Sequence, residues 1–584
     1  MTTADTAVAE RQGPQLFGHP RGLTWLFMTE MAERFSYYGM RAILVLYLVN
    51  FLLLHPQTQG VIGFEPIKYA FEWVAAVFSY ATSYLWHYIS GGIAGLANNT
   101  VALIAIAGAI LFALVIDYLV DAPDQSTVTV ENFRRRPFRA PIYTTVLVVL
   151  FGGIALGLAY YSRHGLTIAA LPTGMVVHNM AVQPLSSLIY GNYTAFVYLT
   201  PFFGGIIADR YIGQRVSVVI GGFTMAVAEF TLMSPKLFFI GLLLLIIGNG
   251  FFKPNISTQV GNLYKPGDSR IDRAYSIFYV GINVGAFISP FICGSLGEGI
   301  GYHWGFFAAG VGMLIGQVVY LLALRNLPPD RLARLKAAPE AKKKLTSRDW
   351  NAVVALILLC IPTSLFWAVY EQQGNTISLW AQNFTDRRLI PGVVDWQIPV
   401  TWFQSFNPFM IFAFTLLVVP FWGWQSRRNR EPSTVSKMAI GNFLLAMSYV
   451  VMAAAAYKTG AGHASWLWLF GFFAVITLGE LYLSPIGLAL VARVAPAQIL
   501  SMMMGLWFIT SFVGNQLQGV IGSFFSQMDK VQFFLLCASV GASASVITWL
   551  FERPLRSVLE TKPLHAPVAV EPQADPHIEP QPRA

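Results

Sequence analysis

Charged residues are scarce in this sequence. Asp, Glu, Lys and Arg make up 11% of its 584 residues, whereas soluble proteins average about 25%. Hydrophobic residues make up 55% of the chain, and the mean hydropathy is +0.56. A set of soluble domains is excluded, because their cores could not bury that much apolar surface. The composition therefore predicts an all-α polytopic membrane protein, with the lipid bilayer as its solvent.

Cysteine is scarce as well. The three cysteines, Cys293, Cys360 and Cys537, all lie inside apolar runs, so the sequence predicts neither a disulfide framework nor a metal cluster. A His-Glu-x-x-His motif is absent, and we find no paired-Asp motif on the apolar runs. An intramembrane hydrolase would need such metal ligands, or a nucleophile with its base. We therefore expect a protein that is not an enzyme and that uses no cofactor and no metal ion.

The sequence also lacks a recognisable cleavable signal peptide. Residues 1–20 are polar, and the first apolar run ends at Leu54 without a small-residue cleavage site. The net charge of +9 would suggest nucleic-acid binding in a soluble protein, but here Lys and Arg fall in short loops between apolar runs. In that position they report topology. We expect no nucleic-acid partner.

Long apolar runs recur along the chain, and a helix needs about 20 residues to cross a bilayer. Fourteen runs are candidates: 24–52, 99–120, 142–162, 187–209, 215–233, 236–263, 273–297, 303–325, 351–380, 400–424, 434–457, 465–493, 499–527 and 531–551. The distribution of Lys and Arg among the loops predicts an inner or plasma membrane protein with both termini in the cytoplasm. Residues 1–20 and the Pro-rich 557–584 are predicted to be disordered cytoplasmic tails.

Residues 54–185 are predicted to be an insertion. Removing these 132 residues leaves 452, a natural length for twelve spans with short loops. Two runs of the insertion, about 99–120 and 142–162, can each span the bilayer, and the arginines between them predict a cytoplasmic turn. For 66–96 we favour a helix at the outer face of the membrane. The predicted helix pair leaves the topology of the later spans unchanged, and we expect it at the periphery.

Charged residues inside the spans are the main functional signal. Each costs at least about 2.5–3.5 kcal/mol at mid-membrane, so it persists where it is paired, hydrated or useful. Seven are found: Glu30, Glu33, Arg34, Arg41, Lys253, Glu371 and Glu480. Glu229 is left out of this set because it lies close to the end of its span. Structural ion pairs between helices could explain any one of the seven, but neither they nor a membrane-embedded scaffold explains the whole set. The set predicts a shared polar cavity.

The first span carries a polar stripe. The spacing i, i+3, i+4, i+7, i+8, i+11 places six residues along one helix face: Glu30, Glu33, Arg34, Tyr37, Tyr38 and Arg41. The run Glu30-Met-Ala-Glu33-Arg34-Phe35-Ser-Tyr37-Tyr38-Gly39 resembles the E-x-x-E-R-F-x-Y-Y-G signature of the proton-coupled oligopeptide transporters, a branch of the major facilitator superfamily. Further motifs resemble that family at 204–215, 248–255, 278–285, 366–372, 404–408, 479–485 and 505–508.

The resemblance covers nearly all of 20–53 and 186–551, and it implies both fold and function. The implied fold has twelve core helices in two six-helix halves, 21–325 and 351–556, joined by a basic cytoplasmic linker at 326–350. The insertion adds a transmembrane helix pair between core helices 1 and 2. The implied function is proton-coupled symport of di- and tripeptides by alternating access. The alternative is a transporter of the same family for another small solute, such as an amino acid, nitrate or a peptide-like compound. We expect a monomer.

The resemblance also implies roles for individual residues. Arg34 and Lys253 would bind the peptide carboxylate, and Glu480 with Asn283 and Asn407 would bind its ammonium group. Further substrate-binding residues are Tyr37, Tyr38, Arg41, Tyr198, Trp367, Trp507 and Ser511. The proton-coupling candidates are Glu30, Glu33 and Glu371. Glu30 and Glu33 lie one helical turn apart, and two such carboxylates in a low dielectric cannot both ionise cheaply.

Opposite charges in opposite halves predict two gating pairs. Arg41 is expected to pair with Glu371 when the outer side is closed, and Lys253 is expected to pair with Glu480 near the binding site. The sequence departs from the family in two places. Leu327–Asp349 is polar and too short for the two extra helices that bacterial members often carry there. Animal relatives have a histidine where Gly191 stands, so protonation should fall to carboxylates alone.

Overall fold

The structure is a computed structural model that describes residues 15–16, 18–54, 61–62, 182–264, 268, 270–328, 346–460, 462–496 and 499–559. The two predicted spans of the insertion, 99–120 and 142–162, lie outside the described residues, as does most of the predicted linker and of both predicted tails. The predicted outer-face helix at 66–96 lies outside them as well.

Twelve helices of 19 residues or more run through the described part of the chain. They are α1 Arg21–Tyr47, α2 Val182–Ile207, α3 Gln214–Leu232, α4 Phe238–Asn262, α5 Ile271–Ser289, α6 Tyr302–Ala323, α7 Ser347–Tyr370, α8 Phe406–Arg427, α9 Thr434–Thr459, α10 Leu467–Val494, α11 Leu500–Ser523 and α12 Lys530–Leu559. Each coincides with one of the twelve predicted spans outside the insertion. Ten candidate membrane spans within the described ranges are long and apolar enough to cross a bilayer, so the chain is a multi-pass membrane protein.

Short elements extend or connect these helices. Single π turns follow α1, α2 and α5 at Leu48–Leu52, Ala208–Ile212 and Pro290–Gly294. Tight 3-10 turns lie at Pro235–Leu237, Leu324–Asn326, Glu371–Gly374 and Val400–Ser405, and short α-helices lie at Ser295–Gly299 and Thr376–Asn383. The strands are β1 Gln15–Leu16, β2 His19–Pro20, β3 Thr385–Asp386, β4 Arg388–Ile390, β5 Val394–Gln397 and β6 Ala464–Ser465. β1 pairs with β2 and β4 with β5, both antiparallel, while β3 pairs with β6 in parallel.

Local sequence explains where several helices start. α7 begins with a capping box, in which the Thr346 hydroxyl accepts the Asp349 backbone N–H at 3.3 Å and the Asp349 carboxylate accepts the Thr346 N–H at 2.7 Å. Two backbone donors that a helix start leaves unpaired are thereby satisfied. α3 begins after Gly213, whose φ of 83° is readily adopted only by glycine. These local features fix the starts of α3 and α7.

The helices pack in two groups, α1–α6 (the first half) and α7–α12 (the second half). In the first half α1 lies against α5 and α6, and α3 lies against α4. In the second half α9 lies against α10 and α12, and α7 against α11 and α12. The halves meet mainly where α2 runs along α11. There Gly191 and Gly519 touch through their backbones, since a Cβ on Gly191 would stand 2.5 Å from the Gly519 Cα.

Hydrogen bonds between the two halves cluster at one end of the bundle, which we call the closed end and define by Glu298, Glu371 and Trp402. The Trp402 indole donates to the Ser295 hydroxyl at 2.9 Å, and the Ser405 hydroxyl donates to the Phe287 carbonyl at 2.9 Å. The opposite end, where α6 finishes and α7 starts, is called the linker end. The halves are therefore fastened together at the closed end.

Candidate functional site

The polar stripe of α1 lies inside the protein. Glu30 and Glu33 are fully buried, and Arg34 is 7% exposed. The Arg34 guanidinium donates to both carboxylate oxygens of Glu33, and its Nε lies 3.3 Å from Glu30 Oε1. It also stands over the Tyr37 ring, 5.0 Å from the centroid. Burial of two carboxylates is thus offset by a cation held on the same helix face.

Lys253 completes this cluster from α4. Its ammonium group lies 2.5 Å from Glu30 Oε1, and its side chain keeps 29% exposure. The predicted pairing of Lys253 with Glu480 is therefore wrong for this conformation. The physical reason is proximity, because α4 brings Lys253 to α1 within the same half, whereas Glu480 lies on α10 in the other half. The cluster of Glu30, Glu33, Arg34 and Lys253 is called the α1 charge cluster.

Arg41 lies two turns further along α1 and contacts the second half. Its guanidinium forms an ion pair with Glu371, and its Nε donates to the Tyr190 hydroxyl at 2.6 Å. Arg41 is 6% exposed and Glu371 is 2% exposed. The structure thus places the two residues of the first predicted gating pair in direct contact at the closed end.

Glu480 lies on α10 and is held by its own half. Its Oε2 accepts the Tyr370 hydroxyl at 2.6 Å and the Asn407 amide N–H at 2.9 Å. The same Asn407 amide also donates to the Thr477 hydroxyl at 3.0 Å. With its N–H donors turned to Glu480 and Thr477, Asn407 is placed to orient Glu480.

The other predicted binding residues are distributed over both halves and differ in how deeply they are buried. Tyr38, Tyr198 and Trp367 are partly buried on α1, α2 and α7. Asn283 on α5 is 5% exposed and donates to the Tyr279 carbonyl at 3.0 Å. Ser511 is 6% exposed. Trp507 departs most from expectation, because it packs in an apolar cluster of the second half with Leu490, Met503 and Leu506.

Sequence reasoning missed several residues that contact the site. Tyr190 accepts a hydrogen bond from Arg41 and Tyr370 donates one to Glu480, and each is adjacent in sequence to a residue that was considered, Gly191 or Glu371. This adjacency was the available signal, and Tyr370 also lies inside the 366–372 motif. Glu298 joins the halves by accepting backbone N–H groups of the opposite half, for which a lone carboxylate near a loop gives no sequence signal.

The arrangement provides opposite charges in opposite halves. The first half presents Arg34 and Lys253, and the second half presents Glu480 with its amide neighbour Asn407. Cations bind carboxylates and a carboxylate binds an ammonium group, so the site suits a small molecule that carries both charges. Within the described residues, three or more metal-ligand side chains are not grouped anywhere. The geometry therefore favours binding and release of a small zwitterion.

Comparisons with known proteins identify related chains. The model of the POT family matches residues 212–330 and 331–546. A peptide transporter of Yersinia enterocolitica, YePEPT, is 30% identical over 448 residues, which cover 64% of this chain and 86% of the relative. A di-/tripeptide transporter of Lactococcus lactis subsp. cremoris is 29% identical over 428 residues, 63% of this chain and 86% of the relative. A crystal structure of a peptide transporter POT in complex with sulfate superimposes with a TM-score of 0.64 at 24% identity, over 94% of this chain and 97% of that one.

Proposed function

Because the chain belongs to the POT family, we propose that it transports di- and tripeptides across a membrane together with protons. The observation that carries this proposal is the placement of two cations, Arg34 and Lys253, on the first half and of Glu480 on the second half. A short peptide is a zwitterion whose end charges are fixed while its side chains vary. A site that binds only the ends therefore accepts many sequences.

The peptide carboxylate binds to the α1 charge cluster. Lys253 is the more accessible cation, because its side chain keeps 29% exposure while Arg34 is almost fully buried. An incoming carboxylate competes with Glu30 for Lys253, and the displaced Glu30 is then left with Arg34 alone. The peptide ammonium binds to Glu480, with Asn283 and Asn407 nearby. Tyr37, Tyr38, Tyr198, Trp367, Trp507 and Ser511 are proposed to shape the pocket, with Trp507 acting from behind it.

Proton coupling belongs to Glu30, Glu33 and Glu371. Glu30 and Glu33 share the cations Arg34 and Lys253 within one cluster, so a substrate that takes Lys253 makes protonation of one glutamate more favourable. Glu371 shares Arg41 with no other carboxylate that the described residues bring into contact. Protonating Glu371 breaks the ion pair that fastens the closed end, and this links a proton to alternating access.

We propose that the closed end lies outside and that the linker end faces the cytoplasm. This orientation rests on the basic residues at the linker end, such as Arg325, Arg427 and Arg493. It places both termini in the cytoplasm of a cell with an inner or plasma membrane. The hydrogen bonds between halves at the closed end fit an inward-open state. We propose that a monomer is sufficient, because the charges of both halves come from one chain.

Uptake of a labelled dipeptide into proteoliposomes tests the function. We expect accumulation with an inward proton gradient and only equilibration without one. N-acetylated and C-amidated forms of the same dipeptide should each compete less well, and Lys253→Ala should reduce competition by the free dipeptide more than by the C-amidated form. Competition by nitrate or by single amino acids with no competition by dipeptides would instead favour the alternative, a same-family transporter of another small solute.

A further inference from the structure

Glu229 on α3 is a buried carboxylate away from the site between the halves. It is 0% exposed, although its position near the end of a predicted span suggested contact with water. Its Oε1 accepts the Ser36 hydroxyl of α1 at 3.3 Å. On its other side α6 approaches closely, since a Cβ added to Gly310 would stand 3.2 Å from the Glu229 Cβ. Glu229 is thus sealed inside the first half by α1, α3 and α6.

Among the residues that the structure describes, the surroundings of Glu229 supply no positive charge. Throughout the described ranges, no Lys, Arg or His forms an ion pair with it, and its Oε2 has no hydrogen-bond partner. The Ser36 hydroxyl of α1 is its hydrogen-bond partner, and the Tyr193 phenol of α2 and the Cys293 thiol of the turn after α5 lie near enough for its charge to influence them. The neighbouring α6 faces it with Gly310, and α4 packs on α3 through glycine and apolar side chains.

Three other buried glutamates differ from Glu229, because each of them has a cation beside it. Glu33 binds Arg34, Glu30 binds Lys253, and Glu371 binds Arg41. An ionised carboxylate with one long hydrogen bond in a buried interior is costly, whereas the neutral acid costs much less. Protonation also gives the group a donor, so that its hydroxyl and carbonyl can each take part in a hydrogen bond.

We propose that Glu229 is a further proton-binding site, which holds its proton as a neutral carboxylic acid throughout transport and is separate from the coupling carboxylates. Glu229 lies on α3, and the helices that enclose it, α1 and α6, belong to the same half. Rocking of one half against the other therefore leaves its surroundings unchanged. The proton is released only when the first half unfolds. The site therefore makes the stability of that half depend on pH without taking part in coupling.

Infrared spectroscopy of the purified protein tests the protonation state. We expect a carbonyl-stretch band of a protonated carboxylic acid at pH 8 that is lost in Glu229→Gln. Ser36→Ala should shift this band, because it removes the hydrogen bond on the carbonyl oxygen. Glu552→Gln is the matched control, since Glu552 also accepts a serine hydroxyl, from Ser433 at 3.2 Å, but is only partly buried. A spectrum at pH 8 in which neither Glu229→Gln nor Ser36→Ala changes such a band overturns the proposal.

Thermal unfolding and transport give two further readouts. The unfolded chain releases this proton above the ordinary carboxyl range while the native protein keeps it, so the unfolding constant of the wild type rises up to tenfold per pH unit relative to Glu229→Gln. The gap, which is the Tm of the wild type minus the Tm of Glu229→Gln, should therefore shift in favour of the variant from pH 6 to pH 8, whereas the corresponding gap to Glu552→Gln should not shift. A gap that stays constant contradicts the proposal. Loss of proton-driven accumulation in folded Glu229→Gln would make Glu229 a coupling residue and contradict it as well. If Glu229→Gln does not fold, the band shift in Ser36→Ala decides.

Discussion

The Glu298 carboxylate accepts the backbone N–H groups of Val400 and Thr401, at 2.9 Å and 2.8 Å, across the boundary between the two halves. The Thr401 hydroxyl donates to the same residue at 2.7 Å. Val400 and Thr401 begin the 3-10 turn that leads into α8, so their N–H groups have no partner within the turn. One side chain of the first half thereby completes the start of a helix in the second half.

Replacing Glu298 should open the closed end. Glu298→Gln keeps the shape but weakens hydrogen bonds to a charged acceptor, which contribute about 1.5–3 kcal/mol each. We expect the fraction of molecules whose two halves are separated at the closed end to rise about tenfold or more. Spin labels at Ile300 and Val393, which are 66% and 77% exposed, would report this as a longer distance by electron resonance. Glu431→Gln, which removes an ion pair at the linker end within the second half, should leave the distance unchanged.

The Arg41–Glu371 ion pair should be essential for transport. Glu371→Gln leaves the Arg41 charge buried without its partner, at a cost of about 3–5 kcal/mol, so we expect uptake to be nearly abolished. The control is Asp386→Asn, which breaks an ion pair with Arg388 whose side chain is 45% exposed and which should change uptake little. Near-normal proton-driven uptake by Glu371→Gln would rule out the gating role.

Glu33 should separate proton coupling from peptide movement. Glu33→Gln removes a proton-binding group beside Arg34, so we expect loss of accumulation against a gradient while exchange between equal peptide pools persists. Each proton that moves with the membrane potential contributes about 2.3 kcal/mol per 100 mV, and the variant should lose that contribution. Accumulation and exchange assays in the same proteoliposomes measure the difference. Persistent accumulation would show that Glu33 is not an essential coupling group.

Tyr370 should act through Glu480. Tyr370→Phe removes the 2.6 Å hydrogen bond on Glu480 Oε2, and the loss of a bond to a charged acceptor predicts about a tenfold higher KM for a dipeptide. The KM of its N-acetylated form, which lacks the ammonium group, should change less. Tyr449→Phe is the control, because the Tyr449 hydroxyl donates at 2.8 Å to the Val369 backbone within the second half. Equal KM changes for both peptides would contradict the positioning role.

Gly285 should be needed for the packing of α5 on α1. A Cβ there would stand 2.9 Å from the Phe35 N and 3.0 Å from the Arg34 Cβ, so α1 would have to move. We expect Gly285→Ala to destabilise the protein by about 1–3 kcal/mol and to lower its Tm. Gly299→Ala is the control, since a Cβ at Gly299 meets no atom within 4 Å. An unchanged Tm in Gly285→Ala would show that the two helices separate at little cost.

Much of the fold could be predicted from the sequence because apolar run length and charge distribution directly determine which segments cross a membrane. The family resemblance, read from the α1 stripe, is confirmed by the family match. The contact between Arg41 and Glu371 followed from opposite charges in opposite halves. Their proposed roles stay predictions.

The failures have a common cause, which is that periodicity does not tell which neighbour a helix face meets. Lys253 could have reached Glu30 or Glu480, and only the packing of α4 beside α1 decides between them. Glu229 was set aside from its distance to the span end, but burial depends on the approach of α6 at Gly310. Trp507 packs in an apolar cluster of the second half, so its place at the pocket stays a prediction.

The backbone contact between Gly191 and Gly519 divides α2 into two parts of unequal length. No side chain separates α2 from α11 at this point, so the two helix backbones touch directly. At a rise of 1.5 Å per residue, roughly 13 Å of α2 lies on the closed-end side of Gly191 and roughly 24 Å lies on the other side. A rotation of α2 about this contact would move its linker end nearly twice as far as its closed end, so a small displacement near the Arg41–Glu371 pair would correspond to a larger opening at the opposite end.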